Sequence, residues 1–347
     1  MSAQSQPLPQ PAAQPQPSPV LFFDTINSYQ RTAALKAAIE LELFTAIGEG
    51  AATPEAIALR CQASVRGARI LADYLAAVGF ITKQDGHYAL NEDSAVFLDR
   101  RSPAYIGGAI GFLTDERLRG NFDDLTACVR KGGTLAGDEG TMSVDNPIWL
   151  EFARSMGKLQ SNPAEAVARL LRVEAASHLK VLDIAAGHGM YGITVAHHNP
   201  HAEVVAVDWP GVLRIARENA EAAGVVDAWT ALPGSAFDVD FGSGYDLVLI
   251  TGFLHHFDPP RNQTLLRKVR QGLAPRGRAV VVEFVPNEDR LTPPPAALFP
   301  LIMLATTRSG DAYTFAEFRQ MIFNAGFSSC ELHDIPNNFQ RAIIATV

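Results

Sequence analysis

From Lys180 onward, short apolar runs alternate with segments in which apolar residues recur every three or four positions. The first pattern predicts buried strands and the second amphipathic helices, so the alternation indicates βαβ units and a mainly parallel sheet. The predicted strands are 180–184, 203–208, 228–232, 246–251, 278–284, 328–333 and 342–346. The predicted helices are 192–198, 211–223, 261–273 and 315–325. Since only a loop separates the last two strands, we expect them to pair antiparallel at one edge.

Helical spacing also dominates residues 21–79, and two short strand-like runs follow around a polar turn at Asp85-Gly86. Three helices and a hairpin predict a winged helix, a fold that often binds DNA. The candidate recognition helix, 64–79, contains only two basic residues, Arg66 and Arg69. Because DNA binding needs several cations on one face, we interpret this segment as an interaction or dimerisation module.

Between these two regions, residues 104–172 are predicted to be helical with glycine breaks. Trp149, Phe152 and Met156 fall on one face at helical spacing. Such a stripe is usually core packing, and a pocket wall is the alternative. A further helix is expected to begin at Pro163, since proline is favoured in the first turn of a helix.

Composition and charge restrict the function classes. The chain of 347 residues has a net charge of −8 without a basic block, which argues against nucleic acid and against an anionic membrane surface as partners. No apolar run reaches the roughly 18 residues of a membrane span, and the start lacks the order of a signal peptide. Cys61, Cys128 and Cys330 lack CxxC spacing, which is typical of a reducing compartment. We expect a cytoplasmic protein.

Four segments follow from these patterns. Residues 1–20, rich in Gln, Pro, Ser and Ala, are expected to form a disordered tail. Residues 21–100 form the winged-helix module and 101–175 a helical linker that contributes to a substrate pocket. Residues 176–347 form the sheet domain.

Strand 180–184 leads into Gly187 and Gly189, which precede a helix. Glycine tolerates positive φ and lets a ligand approach the backbone, and such junctions hold nucleotides at the carboxyl edge of α/β sheets. The GxGxxG match, completed by Gly192, leaves a dinucleotide and S-adenosylmethionine as candidate ligands. Both need an acidic residue at the end of the next strand, and Asp208 supplies it.

Asp183, inside the first strand, distinguishes these two ligands. A carboxylate at this point is poorly placed beside a pyrophosphate and well placed beside the ammonium group of a methionine moiety. The alternative is a purely structural role at the strand end, although a nearly buried Asp is rare without a partner. Asp183 therefore favours S-adenosylmethionine.

Five segments resemble the class I methyltransferases and, within them, the small-molecule O-methyltransferases of plant phenolic, acetylserotonin and bacterial polyketide type: VLDIAAGHG, EVVAVDWPGVL, GSAFD, DLVLITGFLHHF and LAPRGRAVVVEFVPNED. The resemblance spans almost the whole chain, since that family also carries an N-terminal winged-helix dimerisation module. It implies a Rossmann-like seven-stranded methyltransferase sheet, S-adenosyl-L-methionine as cofactor and a homodimer formed through the N-terminal domain.

The resemblance also implies the residues of the cofactor site. Asp183, Gly187 and Gly189 would line the methionine end of the cofactor. Asp208 would bind the ribose hydroxyls, and Trp209 would pack against the adenine. The remaining implied cofactor residues are Ser235, Ala236, Phe237 and Thr251.

His255 matches the general base of the family, a role that suits an imidazole near neutral pH. Glu283 aligns with one of the two acids that flank the base, and it could orient the imidazole. The second acid is usually a Glu, at whose position this chain has Ala312. The neighbouring Asp311 is the candidate substitute, whereas His188 is interpreted as a local loop residue.

The acceptor pocket is expected to be mostly apolar, which suits a flat or lipophilic small molecule. Its predicted residues are Trp149, Phe152, Met156, Phe299 and Met303, with Phe112 as a further candidate.

We therefore predict methyl transfer to a hydroxyl of an apolar or aromatic metabolite. Methylation of carbon or nitrogen, other chemistry on the same fold, and a winged-helix regulator that senses a metabolite are the alternatives. His255, His256 and Asp258 could contribute metal ligands. Adjacent histidines seldom converge on one ion, so no metal site is expected.

Overall fold

The computed structural model describes residues 17–347, which form two compact units divided between Pro103 and Ala104. Most of the expected N-terminal tail lies outside the described residues. No described helix is both long enough and apolar enough to cross a membrane.

The first unit contains helices and one hairpin. Its elements are α1 (Val20–Ile26), α2 (Ser28–Glu40), α3 (Leu43–Gly48), α4 (Pro54–Arg60), α5 (Val65–Ala77), β1 (Ile81–Gln84), β2 (His87–Leu90) and α6 (Glu92–Phe97). The side chains of Thr53 and Ser64 cap α4 and α5 by accepting backbone N–H bonds. Strands β1 and β2 pair antiparallel around Asp85-Gly86, so the predicted hairpin is confirmed.

The second unit is organised around a seven-stranded sheet in the order β5-β4-β3-β6-β7-β9-β8. Its strands are β3 (Leu179–Ile184), β4 (Ala202–Asp208), β5 (Trp229–Pro233), β6 (Tyr245–Thr251), β7 (Leu273–Glu283), β8 (Ser329–Asp334) and β9 (Arg341–Thr346). Strand β9 pairs antiparallel with both β7 and β8, and the other neighbours are parallel. The predicted methyltransferase-like sheet with an antiparallel edge is confirmed.

Eleven α-helices complete the described part of this unit. They are α7 (Ile110–Leu113), α8 (Glu116–Arg119), α9 (Leu125–Lys131), α10 (Ile148–Ser155), α11 (Gly157–Leu171), α12 (Met190–His198), α13 (Pro210–Ala222), α14 (Pro259–Gly272), α15 (Pro294–Leu298), α16 (Pro300–Thr306) and α17 (Phe315–Asn324). Short 3-10 turns lie at Gly107–Ala109, Gly120–Phe122, Gly140–Met142, Val173–Ala175, Val226–Ala228 and Leu254–His256.

Two predicted boundaries were wrong. Helix α11 begins at Gly157, so Pro163 lies inside it rather than at its start. The missing N–H of Pro163 is tolerated because Val167 and Leu171, on the same helix, are buried in the core. Strand β7 begins at Leu273, five residues before the predicted start. A register shift between Tyr245 and Leu247 of β6 lets Leu273 pair with Tyr245, so residues that the sequence suggests as a turn belong to the strand.

The sheet is buried on both faces, as parallel sheets require. Along β6, Val248 and Ile250 belong to one apolar cluster, whereas Leu247 and Leu249 belong to the cluster on the opposite face. Because β3, β4, β6 and β7 are parallel, their carboxyl ends meet at one edge. The candidate site is built on the loops that leave this edge.

Candidate active site

The loop after β3 turns sharply through positive φ at Ala185, Gly187 and Gly189. A Cβ added at Gly187 would lie 3.1 Å from the ring of Phe152, so the loop and this ring are in close contact. A Cβ at Gly192 would lie 2.9 Å from an oxygen of the Asp183 carboxylate. Glycine at these positions lets the backbone approach both side chains closely.

Asp183 is fully buried in β3, and its Oδ2 accepts the N–H of Gly192 at 3.0 Å. Its Oδ1 is enclosed and has no hydrogen-bond partner among residues 17–347. Burial raises the pKa of this carboxyl to about 7. An enclosed carboxylate oxygen without a partner is unusual, and it fits a site that takes a cationic group such as an ammonium.

Asp208, at the end of β4, joins two loops. Its Oδ2 accepts the N–H of Gly187 at 2.8 Å, and its Oδ1 accepts the N–H of Trp209 at 2.7 Å. Burial raises the pKa of Asp208 to about 6. The two adjacent strand ends thus hold one carboxylate each, and both carboxylates bind the glycine-containing loop or the helix that follows it.

A cavity of about 300 Å³ opens beside Asp208. Its lining includes five predicted cofactor residues: Asp208, Trp209, Ser235, Ala236 and Phe237. The ring of Phe257 and the side chain of Arg261 complete one wall, with the guanidinium carbon 5.0 Å from the centre of that ring. Thr251 is outside the described lining and lies half-buried at the end of β6.

Lys268, a residue that the sequence analysis missed, holds the loop that lines this cavity. Its Nζ donates to the carbonyl oxygens of Ala236, Phe237 and Val239 at 3.0, 3.0 and 2.6 Å. Burial lowers the pKa of this ammonium. Lys268 projects from α14, and the sequence contains no motif that distinguishes it from the other basic residues of that helix.

The predicted base, His255, lies in the 3-10 turn after β6 and contacts the last residue of β7. Its Nδ1 is 2.6 Å from Oε2 of Glu283, and both side chains are buried. Because the carboxylate accepts this hydrogen bond, Nδ1 carries the ring hydrogen and Nε2 keeps a free lone pair. Oε1 of Glu283 accepts the backbone N–H groups of Phe253 and Leu254 at 2.9 and 2.8 Å.

Asn262, a second residue missed from the sequence, holds the same turn from its carbonyl side. It is fully buried in the first turns of α14, and its Nδ2 donates to the oxygens of Leu254 and Phe257 at 2.9 and 3.2 Å. The hydroxyl of Tyr313 also donates to the oxygen of Phe257, at 2.7 Å. The backbone around His255 is therefore held on both sides.

The backbone of Asp311 lies close to His255. Its N–H donates to the carbonyl oxygen of His255 at 2.9 Å. Its carboxylate accepts the N–H of Ala312 at 2.8 Å and lies 3.7 Å from Arg290, and burial raises its pKa. In the described structure this carboxylate forms no hydrogen bond with the imidazole of His255, so Glu283 is the acid that contacts this ring.

Phe152 connects the glycine loop with the predicted pocket wall. Its ring stacks on His188 at a centroid distance of 5.5 Å and meets Phe112 and Trp149 edge-on at 5.1 and 5.8 Å. His188 is buried, and its Nδ1 accepts the N–H of Met190 at 3.1 Å. Burial lowers the pKa of His188 to about 4, which keeps the stacked imidazole neutral.

The same row of rings reaches His255 and His256. Trp149 packs edge-on against His256 at 5.2 Å, and Phe299 packs edge-on against His255 at 4.8 Å. Met303 is buried on α16, and Met156 is buried just after α10. The apolar residues predicted for the acceptor pocket thus come from the segment before β3 and from the segment after β7.

A metal site receives no geometric support from the described residues. No three His, Cys, Asp or Glu side chains among them converge on one point. Asp258 instead caps α14, where its Oδ1 accepts the N–H of Arg261 at 2.9 Å.

Two family models match this chain. The O-methyltransferase domain covers residues 140–328, and the O-methyltransferase dimerisation domain covers residues 23–100. The chain therefore belongs to the O-methyltransferase family, and it is an enzyme that uses S-adenosylmethionine as its cofactor. This membership decides against the regulator without catalytic activity.

Individual O-methyltransferases are similar to this chain over nearly its whole length. A crystal structure assigned to an O-methyltransferase of Nostoc punctiforme is 52% identical, with a TM-score of 0.93 over 96% of this chain and 100% of that one. The 3-hydroxy-5-methyl-1-naphthoate 3-O-methyltransferase of Streptomyces sahachiroi is 28% identical over 89% of this chain and 90% of its own length. Human N-acetylserotonin methyltransferase, solved in complex with S-adenosylmethionine, shares the fold at 21% identity, with a TM-score of 0.81 over 97% and 99% of the two chains.

Proposed function

We propose that this enzyme methylates a hydroxyl of an apolar or aromatic small molecule, with His255 as the general base. The observation that carries the proposal is the buried 2.6 Å contact between Nδ1 of His255 and Oε2 of Glu283. This contact fixes the tautomer that leaves Nε2 free to accept a proton. Glu283 is thus a carboxylate that orients the base, as the acidic residue does in a catalytic triad.

S-adenosylmethionine, when bound, supplies an electrophilic methyl group on a sulfonium sulfur. As the acceptor oxygen forms its bond to the methyl carbon and the carbon–sulfur bond breaks, Nε2 of His255 takes the hydroxyl proton. Glu283 stabilises the imidazolium that forms and keeps the ring in place. Because this is a single displacement, correct placement of the acceptor accounts for much of the acceleration, and the apolar residues around the base serve that purpose.

We also propose roles for the acidic residues of the cofactor site. Asp183, whose Oδ1 has no hydrogen-bond partner among residues 17–347, supplies the negative charge that attracts the ammonium group of the methionine moiety, which gives a reason for a buried carboxylate inside β3. Asp208 binds the ribose hydroxyls at the mouth of the 300 Å³ cavity. Gly187 and Gly189 turn the loop beside the two carboxylates through positive φ, which presents its backbone to the cofactor.

The remaining cofactor and acceptor contacts follow from the cavity lining and the row of rings. We assign Trp209, Ser235, Ala236 and Phe237 to the adenine, with Thr251 at the end of β6 as a further cofactor contact. We assign Trp149, Phe152, Met156, Phe299 and Met303 to the acceptor. Two of these acceptor residues, Trp149 and Phe152, lie on α10, which supports a pocket role for the 101–175 segment.

We propose a homodimer that forms through the first unit. Helix α1 has no buried residue in the described chain, and Leu21, Phe22 and Phe23 are 79%, 63% and 56% exposed. Apolar side chains grouped in this way mark association surfaces, and the dimerisation-domain match covers the helix from residue 23.

A panel of small aromatic alcohols, assayed with isotopically labelled S-adenosylmethionine, tests the proposed reaction. Each phenol is paired with the same molecule in which a methyl group replaces the hydroxyl. The proposal expects label in an ether-linked methyl group of the phenols and none in their partners. Carbon- or nitrogen-linked methyl groups, identified by NMR of the products, would contradict it.

A further inference from the structure

Gln340 lies at the edge of the sheet on which the candidate site is built, although the proposed mechanism does not use it. It immediately precedes β9, which runs antiparallel to β7. Arg341, the first residue of β9, therefore pairs with Glu283, the last residue of β7. This pairing brings Gln340 to the carboxyl edge of the parallel strands, beside the loops that carry His255.

The side chain of Gln340 reaches past the end of β7 to Gly252, the residue that follows β6. Gly252 has a φ of +61°, in the left-handed region that favours glycine. A Cβ added to it would lie 3.8 Å from Cε1 of His255 and 3.9 Å from Nε2 of Gln340. The amide of Gln340 and the imidazole of His255 thus border the same small space above Gly252.

The amide of Gln340 is nearly buried and its hydrogen-bonding capacity is unused. The residue is 7% exposed, and its backbone N–H donates to Oδ1 of Asn338 at 3.1 Å. Its side chain forms no hydrogen bond with any of residues 17–347. Neither amide atom is fully enclosed, so a ligand can reach both of them. A buried amide is normally paired, and one without a protein partner fits a site that binds a polar group.

The bonding of His255 indicates which polar group this is. Its Nδ1 binds Glu283, so its Nε2 accepts the hydrogen of the acceptor hydroxyl in the proposed reaction. The hydroxyl oxygen then still has lone pairs that can accept a hydrogen bond. Phe299, which packs edge-on against the imidazole at 4.8 Å, offers no such donor, whereas the amide of Gln340 does.

We propose that Gln340 is a further catalytic residue, whose side-chain N–H donates to the reacting oxygen of the acceptor while His255 takes the hydrogen of the same hydroxyl. Two hydrogen bonds from different sides fix the direction in which this oxygen meets the methyl group. The amide is unchanged by the reaction, since the proton goes to His255. The inference rests on the proposed function, because it takes His255 as the base.

Two ligands that differ in a single group test this contact. 1-Naphthol carries the hydroxyl, and 1-methylnaphthalene has a methyl group in its place. Equilibrium dialysis against protein loaded with S-adenosylhomocysteine measures both dissociation constants, and their ratio reports how strongly the site recognises the hydroxyl. Removal of the Gln340 donor should shift this ratio about tenfold against 1-naphthol, the scale of one buried hydrogen bond.

Two variants remove the donor in different ways. Gln340→Met keeps the length of the side chain without its amide, and Gln340→Glu keeps its shape without the N–H groups. Both should shift the ratio, and Gln340→Met should also lower kcat for 1-naphthol about tenfold without changing the KM for S-adenosylmethionine. Gln320→Met, at an exposed position of α17, is the matched control and should change neither quantity.

Thermal unfolding separates this role from a structural one. Because the amide has no protein partner, Gln340→Met should unfold at the wild-type temperature or above it in the cofactor-free state. A glutamine that only supports the fold would instead lower the unfolding temperature when replaced and leave the ratio between the two ligands unchanged.

The remaining outcomes decide between this contact and the proposed reaction. A ratio that stays within twofold of wild type in Gln340→Met, or in Gln340→Glu, overturns the contact. Failure of 1-naphthol to bind the wild-type protein also overturns it. A shifted ratio together with methyl transfer to carbon of 1-naphthol supports recognition of the hydroxyl by Gln340 and contradicts the proposed reaction.

Discussion

Glu283 contacts His255 twice, through the imidazole Nδ1 at 2.6 Å and through the backbone N–H at 3.3 Å. The same carboxylate therefore orients the imidazole of His255 and holds the turn that carries it. Its two oxygens divide these tasks: Oε2 binds the ring, and Oε1 binds the backbone.

This division makes Glu283→Gln an informative variant. Three backbone N–H groups require an oxygen on their side, so the amide nitrogen of Gln should face Nδ1 of His255. An N–H at that position requires Nδ1 to accept, which moves the ring hydrogen to Nε2 and removes the base. We expect kcat to fall roughly ten-thousandfold, as when the orienting carboxylate of a hydrolytic triad is replaced by its amide.

Cofactor binding provides the control for this variant. The affinity for S-adenosylmethionine, measured by calorimetry, should stay within about threefold of wild type, since Glu283 is placed on the acceptor side. A Glu283→Gln enzyme that keeps a tenth or more of wild-type kcat would show that the tautomer of His255 is unimportant.

Asp183 predicts a pH dependence of cofactor binding. Its pKa is raised to about 7 in the free protein, and an ammonium ligand binds the ionised carboxylate. Below that pH, binding must release a proton, so the affinity should fall by up to about tenfold per pH unit. Calorimetry in buffers of different ionisation enthalpy would measure the released proton, and Asp183→Asn should bind more weakly and without this release.

The stability of the cofactor-free protein should depend on pH in the opposite direction to cofactor affinity, so that it is greater at lower pH. A carboxyl whose folded pKa exceeds its unfolded value, roughly 4, keeps a proton that the unfolded chain loses. Its contribution is therefore complete below about pH 4 and declines as the pH rises to about 7. When the free energy of unfolding is measured with denaturant at several pH values across this window, it should change less with pH in Asp183→Asn than in the wild type. The same pH dependence of the free energy of unfolding in both proteins would mean that Asp183 is ionised in the free protein.

Lys268→Met tests whether the three carbonyl bonds fix the cofactor loop. Without the ammonium, the carbonyl oxygens of Ala236, Phe237 and Val239 lose a shared donor and the lining of the 300 Å³ cavity loosens. We expect the KM for S-adenosylmethionine to rise about tenfold with little change in kcat. Arg267→Met, the adjacent exposed residue on α14, is the matched control and should leave both constants as they are. Equal effects of the two variants would contradict this role.

The proposed association surface predicts the effect of charge on α1. Phe22→Glu combined with Phe23→Glu places two carboxylates on a face proposed to be buried in the dimer, so sedimentation analysis should show monomers. Gln30→Glu, at an exposed polar position of α2, should leave the dimer intact. A dimer that survives the double substitution would contradict the assignment of this surface.

The sequence indicated candidate site residues where polar side chains stand at strand ends. Asp183, Asp208 and Glu283 are polar residues in or after apolar runs, and parallel strands bring such positions to one edge. Lys268 and Asn262 were missed because they act on backbone carbonyls from a helix, where no spacing or composition reveals the partner.

The two boundary errors have the same physical origin. Proline and glycine indicate local breaks, but tertiary packing carried α11 through Pro163 and extended β7 through Pro275 and Gly277. Asp311 shows a related limit. The sequence places Asp311 next to Ala312 but does not show where its carboxylate points. In the structure the N–H of Asp311 donates to the carbonyl oxygen of His255, and the carboxylate points toward Arg290.

The central claim is that His255 removes the proton of the acceptor. The most direct measurement is the single-turnover rate of methyl transfer by His255→Ala, at saturating S-adenosylmethionine and with an accepted phenol, as free imidazole is added. The account predicts a loss of at least about a hundredfold, partial recovery with imidazole and unchanged cofactor affinity. Turnover close to wild type in this variant, with the cofactor bound normally, would contradict it.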